Sequence, residues 1–198
     1  MIHQVLKFIA EQLNVYIKLQ KKTESDITDP FVILQNISRL DEDLLKTTNK
    51  ILISLVNISE ETSMKNNPDY LSVRNNLVTY KNPPVNVNLY IMVTSFMTNY
   101  ENALIYLSHA LTFFQGKYSF TLKNSTTEVE GLPDDFHIIL DMFNLGFEQL
   151  NFVWSTFGGK QHPFVCYKVR LLRLERESIS EINGVISEVM IDGRSKVK

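Results

Sequence analysis

The run WSTFGGKQHPF, from Trp154 to Phe164, carries the residues most suggestive of chemistry: a glycine pair followed by a lysine. Gly158-Gly159-Lys160 has the composition of a phosphate loop, in which backbone N–H groups and a lysine hold an anion. A nucleotide loop of that kind needs G-x-x-x-x-G-K-[ST] between a strand and the start of a helix. Here Trp154 stands five residues before Gly159, and Gln161 fills the Ser/Thr place. The pair also follows a helical pattern and precedes a strand pattern. Its N–H groups would therefore face the negative end of a helix dipole, which disfavours phosphate. The spacing predicts a helix stop, with Pro163 turning the chain out and Lys160 near the last carbonyls.

Other chemistry fails on spacing as well. His3, His109, His137 and His162 share no metal-ligand spacing with one another or with Cys166. Cys166, the one cysteine, reads as a small buried apolar residue. Adjacent strand residues point to opposite faces, so Glu60 and Glu61 cannot act together, and Asp134-Asp135 reads as a solvated loop pair. No G-x-S-x-G, H-E-x-x-H or dinucleotide fingerprint occurs. Tyr90, Tyr100, Tyr106 and Trp154 are the residues for a sugar or base platform, but aromatics at helix and strand periods read first as packing. The expectation is no catalytic residue, no cofactor and no metal.

The bulk properties agree. The chain has 198 residues, enough for one domain with a real core, and a net charge of -2, which argues against a nucleic-acid partner held by charge. One cysteine excludes an internal disulfide. No apolar run reaches the ~18 residues of a membrane span, and the polar-studded start, MIHQVLKFIAEQLNVYIKLQKK, lacks the pattern of a signal peptide. Synthesis and folding in the cytoplasm, with no membrane partner, is the expectation.

The elements that would position these residues follow from periodicity. Ile2, Val5, Leu6, Ile9, Leu13, Tyr16 and Ile17 predict an amphipathic helix over residues 2–19. FVILQNI (31–37) predicts a short strand. NKILISLVNISEE (49–61) predicts a second strand, covered on both faces at its centre. Residues 62–84 read as a long loop ending in Pro83-Pro84. VNVNLYIMV (85–93) alternates, with Val85, Val87, Leu89, Ile91 and Val93 on one face. Asn99–Gly116 reads as a helix with Asn99 as a partial cap, Gly116 at the left-handed C′ site, and Ala103, Leu104, Leu107, Leu111 and Phe114 inward. KYSFTL (117–122) and FHIILDMFNL (136–145) read as strands. Leu150, Val153, Trp154 and Phe157 lie on one face of a helix over 147–157. FVCYKVRLLRLE (164–175) reads as a strand with Val165, Tyr167, Val169 and Leu171 on one side. The fold class expected is α+β: a mixed, mostly antiparallel sheet with helices against one face. Residues 1–175 form the domain. Residues 176–198 form a C-terminal extension in which Asn183-Gly184 signals a β-hairpin arm.

Several stretches, in order, carry a resemblance: NKILISLVNISEE, YKNPPVNVNLYIMVT, NYENALIYLS followed by FFQGK, and LNFVWSTFGGKQHPFVCYKVRLL. From Met1 to about Glu175 they resemble the amino-terminal domain of the cap, or tail-terminator, proteins of contractile injection systems. These are phage-tail-like particles of the virulence-cassette and antifeeding-prophage type. The resemblance implies a fold like phage tail terminators and a homohexameric ring at the end distal to the baseplate. Such a ring ends the inner tube and holds the last sheath layer. The implied partners are further copies of the chain, the tube protein and the sheath protein. The runner-up is an assembly chaperone or adaptor that binds one tube or sheath subunit. Enzymatic activity is not expected.

Overall fold

In the computed structural model, residues 1–20, 30–37, 49–62, 71–74, 77–81, 85–127, 130–157, 161–174 and 179–184 are described. The elements run α1 (Ile2–Gln20), β1 (Val32–Leu34), β2 (Lys50–Glu60), β3 (Leu71–Arg74), β4 (Leu77–Lys81) and β5 (Val85–Phe96). They continue with α2 (Tyr100–Gly116), β6 (Ser119–Thr121), a 3₁₀ turn (Leu122–Asn124), β7 (His137–Met142), α3 (Phe147–Thr156), β8 (Phe164–Leu174) and β9 (Ile179–Gly184).

Six strands form the main sheet in the order β1-β2-β5-β8-β7-β6. Among the described pairs of this sheet only β1–β2 is parallel, so the sheet is mixed and mostly antiparallel. Its long members are β2, β5 and β8. Their alternating sequences bury Val87, Leu89, Ile91 and Val93 of β5 on the side where Val5, Ile9, Leu13 and Ile17 of α1 pack. Ile51 and Ile53 of β2 join that core, while Leu52 between them faces the other side. The centre of β2 is thus covered on both faces, as its apolar run predicts.

Helices do not keep to one face of the sheet. Trp154 of α3 packs with Leu52, Met92 and Cys166 in a second core on the opposite side from α1. The other side of β5, with Asn86, Asn88, Tyr90 and Met92, is covered along much of its length: Asn88, Met92 and Thr94 are buried.

The 62–84 stretch is not simply a loop. Leu71–Arg74 and Leu77–Lys81 pair antiparallel, and β9 adds to β4 to complete a separate three-stranded sheet, β3-β4-β9. Strands of four and five residues are too short to announce themselves by period, and their partner lies about a hundred residues away in sequence. Asn183-Gly184 is correspondingly not a turn. Asn183 pairs with Val78 and Gly184 with Leu77, at the end of β9.

Helix α2 begins as expected: the Asn99 side chain accepts from the N–H of Glu101 at 2.8 Å and of Asn102 at 3.4 Å. Its inward face is rotated from the expected one. Ala103, Ala110, Phe113 and Phe114 are buried, Leu107 and Leu111 are half-buried, and Leu104 is 43% exposed. Small alanines let the helix axis approach the strands, so the leucines flank the contact instead of centring it. Gly116 does not adopt the left-handed form. Lys117 caps the helix with φ -138°, its N–H bonding the Phe113 carbonyl at 2.9 Å. The glycine with positive φ among the described residues is Gly131, at 82°. A Cβ there would also collide with the Gln4 side chain.

Candidate assembly surface

The residues that composition singled out for chemistry are scattered. His137 bonds Ser119 across β7 and β6 at 3.0 Å, on the exposed surface. His109 lies beside the Tyr106 ring on α2, and His162 stacks at 4.6 Å on Phe96 beside Trp154. His3 is exposed on α1. Among the described residues no group of three or more His, Cys, Asp or Glu could hold a metal ion. No described helix is long and apolar enough to cross a membrane.

Glu61 accepts a hydrogen bond from Asn88 Nδ2 at 2.9 Å and lies 4.0 Å from Lys168 Nζ, while Glu60 ends β2. Asp134 and Asp135 are exposed. Three of the aromatics pack: Tyr90 on Phe143 at 4.9 Å, Tyr106 on Phe31 at 4.6 Å, and Trp154 on Phe164 at 5.1 Å. Tyr100 stays 67% exposed. Gly158-Gly159-Lys160 lies outside the described residues. The helix before it closes at Phe157, whose N–H reaches the carbonyls of Val153 and Trp154 at 3.2 Å each.

One polar cluster escaped the sequence reading. Gln12 reads as part of the solvated side of α1, yet it is buried. Its Oε1 accepts from the N–H and hydroxyl of Thr126 and from Lys117 Nζ, and its Nε2 donates to Thr127 Oγ1 at 2.7 Å. The Lys117 ammonium also donates to the Asn124 carbonyl and sits 5.0 Å over the Phe120 ring. Partial burial lowers its pKa. The cluster ties α1 to the segment after α2. It is a structural clamp, since its donors and acceptors are spent on each other.

Burial pushes the Cys166 thiol up to about 11 and the Tyr167 phenol to about 12. Both groups favour the neutral form in the fold, so Cys166 is a poor nucleophile. The unfolded chain releases these protons first. Stability should therefore fall as pH rises from about 9 towards 11 for the thiol, and about a unit higher for the phenol, with no contribution below. Lys117 acts in the opposite sense. The native state sheds that proton first, so it adds stability as pH climbs to the ordinary lysine range. Comparing wild type with Cys166→Ala isolates the thiol: the urea midpoint of wild type should drop more between pH 9 and 11. Equal drops would contradict the assignment.

What the surface does offer is exposed apolar side chains. Leu55, Val56, Ile58 and Val85 are exposed on the strands, Tyr100, Leu104 and Ile105 on α2, and Phe147 and Phe152 on α3. Exposed apolar groups that cluster mark contact surfaces.

The model of the Pvc16 N-terminal domain family matches residues 4–188, and the chain belongs to that family. Among solved structures it is similar to the sheath/tube terminator of an extracellular contractile injection system (PVC) in the extended state. The TM-score is 0.68 at 13% identity, over 100% of this chain and 65% of that one. It is also similar to the tube-terminating cap of the anti-feeding prophage, with a TM-score of 0.60 at 12% identity, over 89% of this chain and 59% of that one. The chain thus spans somewhat under two thirds of the length of the solved relatives it matches. Among curated proteins nothing matches. At these identities the likeness is one of fold, and the α+β architecture is that of tube terminators.

Proposed function

We propose that the chain is a cap, or tail terminator, of a contractile injection system. It forms a hexameric ring that ends the inner tube and anchors the last sheath layer at the end distal to the baseplate. The observation that carries this reading is the family match over residues 4–188. The likeness to two terminators in fold and the exposed apolar side chains support it. The partners are other copies of the chain, the tube protein and the sheath protein, with no nucleic acid, membrane or cofactor. The chain does no catalysis. It assembles in the cytoplasm as part of the particle, with residues 1–175 as the terminator domain and 176–198 as an extension that lends β9 to the small sheet.

Native mass measurement at assembly concentration, with and without the tube and sheath subunits, tests this. A closed ring of six is the expected result. A 1:1 complex with a tube or sheath subunit, and no ring, would instead assign the chain to an adaptor that binds and leaves.

A further inference from the structure

An open sheet has two edges, each with a row of backbone groups turned away from the ladder. In the main sheet the edges are β1 and β6, and among the described residues no strand lies beyond either. At β6 one bond gives the directions of those groups. Leu140 donates to the Tyr118 carbonyl at 2.8 Å, so Tyr118 faces β7. Phe120, two residues on, faces β7 as well, because the groups of an antiparallel pair alternate. Ser119 and Thr121 therefore turn theirs outward. The Asn124 side chain occupies that outward side. Its Nδ2 donates to the Ser119 carbonyl at 2.9 Å, and its Oδ1 accepts from the Thr121 N–H at 3.0 Å. One primary amide thus supplies the donor and the acceptor that a residue of an added strand, opposite Phe120, would supply.

The amide is held in place. Asn124 ends the 3₁₀ turn Leu122–Asn124, and its N–H bonds Thr121 Oγ1 at 3.3 Å. Its carbonyl accepts from the Lys117 ammonium at 2.6 Å, and Lys117 is anchored in turn on Gln12 at 3.1 Å. The polar cluster that ties α1 to this segment therefore also fixes the edge. Lys123, exposed within the same turn, adds a charge, which is a second way to discourage a strand from adding. The opposite edge is treated alike. Ile51 donates to the Phe31 carbonyl and Gln35 to the Ile53 carbonyl, so residues 31 and 35 face β2 and Val32 faces outward. The Val32 N–H meets Asn14 Oδ1 of α1 at 3.3 Å.

We propose that Asn124 is an edge guard: it shuts the β6 edge against strand addition, and without it β6 of one copy pairs with β6 of another. The occupant follows from self-complementarity. A two-fold contact brings the same segment together from both copies. In an antiparallel pair centred on Phe120, Ser119 of each copy meets Thr121 of the other, and both residues already turn their backbone groups outward. Ser119, Phe120 and Thr121 carry no charge. Lys123 does, and it opposes the pair once the amide is gone. This edge contact is isologous, whereas the contacts of a ring are heterologous, so it would join whole assemblies to one another. The guard keeps copies that other surfaces bring together from also fusing through their sheets. It acts in the same way on a chain that binds singly.

Sedimentation of the full chain over a range of concentrations tests this. Lys123→Ala alone should leave the size distribution as in wild type, because the amide remains. Lys123→Ala together with Asn124→Ala should lower, by about tenfold or more, the concentration at which species larger than the wild-type assembly appear. Adding Ser119→Lys to that pair brings a lysine from each copy to the shared edge, where like charges repel, and should restore the wild-type distribution. Larger species that the added lysine does not remove would mean that a melted turn, and not strand pairing, drives the association, and would overturn the proposal. A double variant with the wild-type distribution at every concentration would overturn it as well.

Discussion

Phe8→Ala will unfold this domain or bring it close to unfolding. Phe8 is fully buried on α1, with its ring edge-on to Phe136 at 5.3 Å and to Phe120 at 6.2 Å. Phe120 in turn meets Phe113 and Phe114, and Phe114 meets Tyr167 of β8. Phe8 thus ends a chain of rings that runs from α1 through β6 and α2 to β8. Removing it takes away the transfer term for the lost atoms and leaves a cavity that its rigid aromatic neighbours cannot fill. Phe→Ala changes in such cores cost about 3–5 kcal/mol. Domains are stable by only about 5–15 kcal/mol in total. The urea midpoint should fall sharply with little change in slope. A loss under about 1 kcal/mol would contradict this account of the core.

Trp154→Ala should be nearly as damaging, and Trp154→Phe far milder. Trp154 closes the second core, edge-on to Phe164 at 5.1 Å and to Phe157 at 6.4 Å, and is 6% exposed. Truncation to alanine removes the one large side chain that α3 buries, at a cost of about 3–5 kcal/mol. The indole N–H, however, has no acceptor among the described residues. Replacing the ring by phenyl loses volume and contacts but breaks no hydrogen bond. Trp154→Phe should therefore keep most of the stability. Equal losses for the two variants would mean that the N–H is bonded after all.

Where side chains alternate without interruption, the elements are legible in the sequence. VNVNLYIMV places Val87, Leu89, Ile91 and Val93 in the main core as read, and Asn99 caps α2 as read. The failures have physical causes. Leu104 looks like a core residue by size, but Ala103 and Ala110 make the close approach to the sheet, and no rule of hydrophobic size reports that. Ile58 reaches the apolar face only through a register shift against β5, which is a property of two strands and not of one. On β8 a similar shift lies between Val169, which pairs with Leu89, and Leu172, which pairs with Val87. Strands β3 and β4 exist by pairing with each other and with β9, a long-range contact that no local pattern encodes. Gln12 reads as surface because glutamine is polar, yet its amide is what joins α1 to Thr126, Thr127 and Lys117.

The surfaces taken here as functional were the least legible part. A chemical motif can be sought by residue type and spacing. An assembly surface is defined by apolar side chains left exposed, and which of Leu55, Ile58, Leu104 and Ile105 those are becomes visible only once burial is known. The resemblance over residues 1–175 rested on ordered motifs instead, and the family match over 4–188 agrees with it.

The most direct measurement is electron microscopy of particles from cells that make the injection system, with and without this chain. Without it, the inner tubes should vary widely in length and the sheaths should fail to stay extended; restoring the chain should return one length and extended sheaths. Particles of normal length that stay extended and fire in its complete absence would contradict the cap assignment.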